Sequence, residues 1–263
     1  MTKTEDTKQK FLLSTDVLNG FGLDLVFESA KKAGFDGIDL ALYKNFDAWN
    51  IDYVKKLSEK HDLPVEVVQV SSKLNKKEME KALDLCEALN VSSITINAPK
   101  FFDYKSFNFI KDNISTYKKA NKDISFGIIN PIDSSFFAVP IPKYRFSNLV
   151  EIIKKYGCNI GLDVSALDED SFEDDFMRKI EDFLPYISVI YLGDKNKSGK
   201  SHILPGDGVL KLPSFLKKVK EKKYARYFSL KIDISKSDLA DGDKVDLILK
   251  KGVNYFKENY IDL

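Results

Sequence analysis

Short apolar runs, rich in β-branched and aromatic residues, recur along the chain at intervals of roughly 30 residues, the length of one strand-helix unit. Runs of this length and composition between polar segments are typical of β-strands. Several are apolar on both faces, as expected when helices cover one side and a filled interior covers the other. The predicted strands are Phe11–Ser14, Gly37–Leu42, Val65–Val70, Ser93–Ala98, Ile124–Ile129, Asn159–Val164, Ser188–Leu192 and Tyr227–Ile232.

Longer segments with apolar residues at helical spacing separate these strands. The predicted helices are Leu23–Ala33, Ile51–His61, Lys76–Leu89, Phe109–Ala120, Ser147–Tyr156, Phe172–Phe183, Pro213–Lys222 and Val245–Asn259. A helix after each of eight strands predicts an α/β fold, a closed (β/α)8 TIM barrel, and 263 residues are a normal length for one such domain. The alternative is an open doubly wound sheet, but no glycine-rich phosphate loop follows an early strand.

The domain organisation follows from the same pattern. Residues 1–10 are polar apart from Met1 and are expected to form a frayed N-terminus, whereas residues 11–263 form a single barrel domain. The main irregularity is the aromatic-rich connection Asp133–Arg145 between the fifth strand and its helix. Connections of this length are usually lids, binding loops or small insertions.

Composition and charge exclude several classes of protein. With 41 basic and 40 acidic residues the net charge is +1, so no overall field attracts nucleic acid or an anionic membrane. The densest basic run, Lys217–Lys223, is interpreted as the solvated face of a helix. Two isolated cysteines, Cys86 and Cys158, argue against a disulfide framework or a structural zinc site. No apolar run could act as a signal core or span a bilayer, so a soluble cytoplasmic protein is expected.

Polar residues stand at or just after the predicted strand ends, where the chemistry of a (β/α)8 barrel lies. In chain order they are Ser14, Thr15, Asp16, Asp39, Gln69, Asn97, Asn130, Asp163, Ser165, Tyr191, Asp194, Lys231 and Asp233. His202 lies in the loop between the last two strands. Because eight strands converge on one mouth, the set predicts a polar pocket, although any single member also fits a cap or turn.

Three segments carry a resemblance to a known family. They are GFDGIDL at Gly34–Leu40, IGLDVS at Ile160–Ser165 and HILPGDGVL at His202–Leu210, the last followed by KKYARYFSLK at Lys222–Lys231. In this order they are similar to segments of the xylose isomerase-like TIM barrels, a superfamily of sugar and sugar-phosphate isomerases and epimerases that also includes nucleases of the endonuclease IV type. The resemblance covers almost the whole chain and implies a barrel of this type.

The resemblance also implies a metal site, which this sequence matches poorly. The family's isomerases and epimerases typically hold one divalent cation with a Glu after the fifth strand, an Asp after the sixth, a His on the seventh and a Glu after the eighth, and the two glutamates move the proton between sugar carbons. These places fall on Ile129, on Asp163, near Tyr191 and on Lys231. One ligand in four survives, so no metal ligand and no cofactor is predicted. The nuclease branch needs several histidines for its zinc cluster, and the chain has 2.

Asp163 and Lys231 are the predicted catalytic residues. A buried carboxylate without its metal would be costly, so we expect Lys231 to form an ion pair with Asp163, with Asp194 as an optional second partner, and its ammonium to stand in for the cation. One alternative is that Lys231 points out of the mouth into water. Another is that it acts as an amine and forms a Schiff base with a carbonyl substrate.

A second set of residues is predicted to contact the substrate. Its members are Asp39, Asn130, Tyr191, Asp194 and His202. Backbone N–H groups of Gly206–Gly208 would add affinity for an anion such as a phosphate. The alternative is that this loop is only a turn, which His202 holds by a hydrogen bond.

Three classes of function follow. The first is a protein related to sugar and sugar-phosphate isomerases and epimerases that lacks the usual divalent-metal chemistry and, if active, acts as an isomerase or epimerase on a sugar or polyol. The second is a non-catalytic barrel that binds a small ligand or a partner, and the third is a Lys231-dependent carbonyl enzyme. The expected partner is a small polar ligand such as a sugar or sugar phosphate, without nucleic acid or membrane; the oligomeric state stays open.

Overall fold

A computed structural model describes residues 9–99, 103–130, 157–167 and 174–263, together with residue 155 and the backbone of 135–136 and 139–140. In this part of the chain eight parallel strands form a closed barrel, in which each pairs with the next in sequence and the last returns to the first. The strands are β1 (Phe11–Ser14), β2 (Gly37–Ala41), β3 (Val65–Val70), β4 (Ser93–Asn97), β5 (Ser125–Ile129), β6 (Asn159–Asp163), β7 (Ile187–Leu192) and β8 (Tyr227–Leu230). The predicted (β/α)8 barrel is confirmed.

Helices connect the strands along the outside. They are α1 (Leu23–Ala33), α2 (Ile51–His61), α3 (Lys76–Leu89), α4 (Tyr104–Ala120), α5 (Asp174–Phe183), α6 (Leu212–Glu221) and α7 (Gly242–Phe256), with a one-turn helix at Lys236–Leu239 and a π-helical turn at Lys257–Ile261. Asn50 and Asn75 cap α2 and α3 by accepting backbone N–H groups of the first turn, and Gly34 ends α1 with a φ of 93°. None of the described helices is both long and apolar enough to cross a membrane.

Parts of three predicted features lie outside the described residues. Of the helix predicted at Ser147–Tyr156, only residue 155 is described. Of the connection Asp133–Arg145, the structure describes a two-stranded antiparallel ribbon that pairs Ser135–Phe136 with Val139–Pro140. Residues 1–8 of the predicted frayed N-terminus are also outside.

Apolar side chains pack on both sides of the barrel wall. One large cluster joins the strands to the helices, and a smaller cluster inside the barrel consists of Leu12, Val67, Ile129, Val189 and Tyr191. Gly161 makes room for this inner cluster, because a Cβ there would lie 2.8 Å from Ile129 Cγ1 and 3.1 Å from Tyr191 Cε2. Because these side chains fill the interior, a ligand can be received only at the strand ends.

Candidate active site

A buried ion pair joins the ends of the first and last strands. Closure of the barrel places Leu13 of β1 in register with Leu230 of β8, so the residues that follow the two strands are neighbours. Lys231 Nζ lies 2.6 Å from Asp16 Oδ2 and donates a second hydrogen bond, of 3.0 Å, to Gln69 Oε1. Only 7% of Lys231 is exposed. The two charges therefore interact with little screening by water.

Gln69 links this ion pair to a second carboxyl group, Asp39 on β2. Gln69 Nε2 donates to Ser14 Oγ at 2.7 Å and to Asp39 Oδ2 at 2.8 Å, and Ser229 Oγ donates to the same Asp39 oxygen at 2.9 Å. Asp39 is completely buried, and among the described residues its Oδ1 has no hydrogen-bond partner. Asp39 therefore lies beneath the mouth as a carboxyl group with only one oxygen satisfied.

The two carboxyl groups differ in protonation. Burial would raise the pKa of Asp16, but the charge of Lys231 and the hydrogen bonds from Lys231, Ser14 and Tyr43 outweigh it and lower the pKa to about 2. At Asp39 burial dominates and raises the pKa to about 7, although Lys231 opposes the rise. Burial would lower the pKa of Lys231, but Asp16 raises it overall. At neutral pH Lys231 is therefore an ammonium, Asp16 is a carboxylate and Asp39 is divided between its two forms.

Tyr191 lies directly beneath the ammonium group. Its ring centroid is 5.1 Å from Lys231 Nζ, and its hydroxyl lies 2.6 Å from Thr95 Oγ1 on β4. A cation over an aromatic ring at this distance contributes roughly 0.5 to 2 kcal/mol. Tyr191 thus supports Lys231 from within the barrel, while its predicted contact with a substrate stays a prediction.

Asp163, at the end of β6, pairs with His202. His202 Nε2 lies 2.6 Å from Asp163 Oδ2, and Ser165 donates its N–H and its hydroxyl to Oδ1. Asn130 holds the same backbone, since its Oδ1 accepts the Asp163 N–H and its Nδ2 donates to the Asp163 carbonyl. Burial would raise the pKa of Asp163, but His202 lowers it; burial would lower the pKa of His202, but Asp163 raises it. The pair therefore favours a charged carboxylate and a protonated imidazole.

Backbone geometry holds His202 beside β8. The His202 carbonyl accepts the N–H of Asp233 at 2.7 Å. A Cβ at Gly193 would lie 2.6 Å from the Lys231 carbonyl oxygen and 3.5 Å from His202 Cα, so only glycine fits between these two segments. His202 itself has a φ of 59°, which is uncommon for a residue other than glycine. The Asp16–Lys231 pair and the Asp163–His202 pair consequently belong to one mouth.

Asp194 fixes the loop that follows β7. Its Oδ1 accepts the N–H groups of Lys195 at 2.7 Å and Leu210 at 3.1 Å, and its Oδ2 accepts those of Gly206 at 3.0 Å and Gly208 at 3.2 Å. A side chain at position 208 would overlap the Asp194 carboxylate, so glycine is required there. Two of the three N–H groups expected to bind an anion, those of Gly206 and Gly208, are thus bound by Asp194, and the Asp207 N–H donates to the Leu204 carbonyl. Asp194 holds this loop, whereas the ring of His202 pairs with Asp163.

Replacing Asp194 with alanine should lower the free energy of unfolding by about 2–3 kcal/mol, because backbone N–H groups in the loop lose a charged acceptor. Denaturant unfolding at pH 7 measures the change. The matched control is Asp207→Ala, which removes an exposed carboxylate from the same loop and should cost less than about 0.5 kcal/mol. Equal losses in the two variants would contradict the role given to Asp194.

The partner of Lys231 is the main correction to the sequence predictions. The expected ion pair with Asp163 is wrong, and so is the optional one with Asp194, because other groups occupy both carboxylates. Lys231 instead binds Asp16. The alternative that Lys231 points into water is wrong as well, because its side chain is 9% exposed.

Sequence reasoning missed several members of this network. Asp16 and Gln69 stood among the polar strand-end residues, but nothing singled them out. Ser229 lies inside a strand, and Tyr43 reaches the site from the loop after β2 to donate to Asp16 at 2.8 Å. Barrel closure is the signal that could have identified Asp16, because it makes β1 and β8 neighbours.

A divalent cation requires several oxygen or nitrogen ligands directed at one point. The residues at the family's metal-ligand positions differ from such a set. Ile129, at one of the glutamate places of the resemblance, belongs to the inner apolar cluster, and Lys231, at the other, is a cation. Both oxygens of Asp163 accept hydrogen bonds. Among the residues that the structure describes, no group of three or more His, Cys, Asp and Glu side chains could hold a metal ion.

Comparisons with known proteins address the family and the fold. A family model described as xylose isomerase-like TIM barrel matches residues 27–258. No curated protein matches the sequence. Among solved structures, D-allulose 3-epimerase from Methylomonas sp., in complex with D-allulose, is similar with a TM-score of 0.69 at 13% identity, over 97% of this chain and 98% of that one.

Two further sugar epimerases share the architecture. An L-ribulose 3-epimerase gives a TM-score of 0.71 at 13% identity and covers 97% of this chain and 95% of its own. The 3-keto-D-glucoside 4-epimerase from E. coli gives 0.67 at 14% identity and covers 93% of this chain and 99% of its own. At these identities the likeness establishes the fold over nearly the full length of both chains.

Proposed function

Because the chain belongs to the xylose isomerase-like TIM barrel family, we propose that its mouth binds a small polyhydroxylated ligand, a sugar or sugar phosphate, without a divalent cation. The proposed contacts come from Asp16, Asn130, Asp163, His202 and Lys231. Similar solved structures include enzymes named for sugars, and one of them contains D-allulose. These likenesses support the ligand class, whereas the roles of individual residues rest on the site of this chain.

The observation that carries the proposal is the pairing of two charged donors with two carboxylates at one mouth. Lys231 with Asp16, and His202 with Asp163, present donors and acceptors side by side at 2.6 Å separations. A sugar hydroxyl both donates and accepts a hydrogen bond, so it can bind the remaining donor of Lys231 and an unused lone pair of a neighbouring carboxylate while both pairs stay intact. Because these side chains are held by further hydrogen bonds, little ordering is needed when a ligand binds.

We propose binding without a cation because the residues at three of the family's metal-ligand positions pack against one another. Ile129 and Tyr191 belong to the same inner cluster, for which Gly161 leaves space. The Tyr191 ring in turn lies under Lys231. The side chains at three family ligand places therefore form one packed unit with an ammonium at the top, and an ammonium repels a divalent cation.

Metal removal tests the proposal directly. We expect protein treated with EDTA to bind ketoses such as D-allulose, L-ribulose and D-fructose as tightly as protein supplied with Mn²⁺ or Mg²⁺, because the contacts are side chains. Calorimetric titration measures binding, and elemental analysis measures residual metal in the same samples. Binding that appears only with added Mn²⁺, Mg²⁺ or Zn²⁺ would refute the metal-free proposal.

A second candidate function is isomerase or epimerase chemistry on the same ligand. It is favoured by the 2.6 Å contact between Asp163 and His202, since a carboxylate that orients an imidazole is a common arrangement for moving a proton. Exchange of sugar C–H hydrogens in D₂O with EDTA-treated protein, followed by NMR, is the test. No exchange, together with retained binding, would leave the binding function alone.

Lys231 is poorly suited to the Schiff base alternative. The reaction needs a neutral amine, and the ion pair with Asp16 raises the pKa of Lys231 instead of lowering it. Treatment with a keto-sugar and borohydride should therefore leave the mass of Lys231-containing peptides unchanged.

A further inference from the structure

We infer that the mouth accepts an uncharged sugar and rejects the phosphorylated form of the same sugar. This inference rests on the proposed function and narrows its ligand class. It depends on how the charged groups and backbone N–H groups that the structure describes at the mouth are already engaged.

The first group is the Lys231 ammonium. It has three N–H donors, and two of them are used by Asp16 and Gln69 at 2.6 and 3.0 Å. The remaining donor can serve one ligand hydroxyl. A phosphate would have to compete with the Asp16 carboxylate for the positive charge, so Lys231 offers no unneutralised cation.

Lys195 is the other buried lysine that the structure describes. Its Nζ donates to the backbone carbonyl of Leu167 at 2.6 Å, in the loop after β6. Its backbone N–H is bound by Asp194. This lysine therefore anchors one loop of the mouth to another.

The second group is the set of backbone N–H donors in the loop after β7. In phosphate-binding loops such donors point at the anion. Here Asp194 supplies the anion from within the chain, since its two oxygens accept the N–H groups of Gly206, Gly208 and Leu210. A phosphate would have to displace this carboxylate, and the loop is therefore closed to external anions.

The charges within the two hydrogen-bond networks are balanced. The carboxylates of Asp16 and Asp163 neutralise Lys231 and His202, and Asp39 adds negative charge where it is ionised. A phosphate monoester would bring up to two further negative charges beside them. Like charges in a poorly screened site cost several kcal/mol, whereas a neutral polyol has no such cost.

Calorimetric titration of the full-length protein with matched pairs tests the inference. The probes are D-fructose with D-fructose 6-phosphate, and D-allulose with D-allulose 6-phosphate, at pH 7.5 and fixed ionic strength. We expect each phosphate to bind about ten-fold or more weakly than its parent sugar, and inorganic phosphate not to displace the sugar. Phosphates that bind as tightly as the sugars, or more tightly, overturn the inference but leave the proposed function standing. If no sugar or phosphate binds, the proposed function fails and the inference with it.

A charge-neutralising variant provides an independent test. Asp16→Asn keeps the shape of the side chain but releases the charge of Lys231, so the preference for the sugar over its phosphate should shrink by about ten-fold. The control is Asp24→Asn, which removes a surface carboxylate that pairs with Lys60 at 2.7 Å and should leave the preference unchanged. An unchanged ratio in folded Asp16→Asn, verified by circular dichroism, would count against the inference.

Discussion

Replacing Lys231 with methionine should lower the free energy of unfolding by about 3–5 kcal/mol at pH 7 and abolish sugar binding. Methionine fills a similar space, but it leaves the Asp16 carboxylate buried without its counter-charge, and removing one partner of a buried pair costs this much. Asp39 loses the same positive charge, so its pKa should rise further. Denaturant unfolding monitored by circular dichroism gives the stability, and calorimetry gives the binding.

The double variant Lys231→Met/Asp16→Asn separates loss of the charge pair from loss of packing. Because neither side chain is then charged, we expect most of the lost stability to return, although sugar binding should stay absent. A double variant as unstable as Lys231→Met would show that Lys231 acts through its packing on Tyr191. If Lys231→Met alone lowered the free energy of unfolding by less than about 1 kcal/mol, the Lys231–Asp16 ion pair would already be exposed to water.

The fold was predictable because its signals are local. Alternating apolar runs and helical periodicity give the bounds of β1, β3 and α1 to α3 as the structure has them. Where the prediction differs, a local pattern was incomplete: α4 begins at Tyr104 instead of Phe109, because Asp103 caps a first turn that has few apolar residues. Each signal lies within one turn or a few strand residues, so tertiary contacts are not needed to read it.

The site was only partly predictable because its contacts are made between distant segments. The strand-end rule placed Asp163 and Lys231 at one mouth, and the loop position of His202 before β8 placed it beside them. It could not decide which carboxylate pairs with Lys231, because that depends on barrel closure and on the competing donors around each acid. Asp194 is an example. The N–H groups of Gly206 and Leu210 bind its carboxylate, and no sequence rule places these two residues beside it.

The pH dependence of stability gives a second large effect, at Asp39. Its pKa rises from an ordinary value of 3.8 to about 7 in the folded protein. Between these values the folded state holds a proton that the unfolded state has lost, so the contribution of Asp39 to stability falls as pH rises, by about 1.4 kcal/mol per pH unit. Asp39→Asn cannot lose this proton. Relative to the unsubstituted protein, the variant should therefore gain roughly 2–3 kcal/mol between pH 5 and pH 8.

Asp207→Asn is the control for this experiment, because it removes an exposed carboxyl group that lies outside the hydrogen-bond network of Asp39. Because this variant leaves the proton of Asp39 in place, it should differ from the unsubstituted protein by a constant amount between pH 5 and 8. Asp16→Asn would not serve, because the charge of Asp16 contributes to the raised pKa of Asp39. The groups that face Asp39 are Lys231, Asp16, Ser229, Gln69 and Tyr191, and all of them are retained in Asp39→Asn. Stability curves for Asp39→Asn and the unsubstituted protein that run parallel from pH 5 to pH 8 would mean that Asp39 is ionised throughout, and that its unpartnered oxygen is solvated.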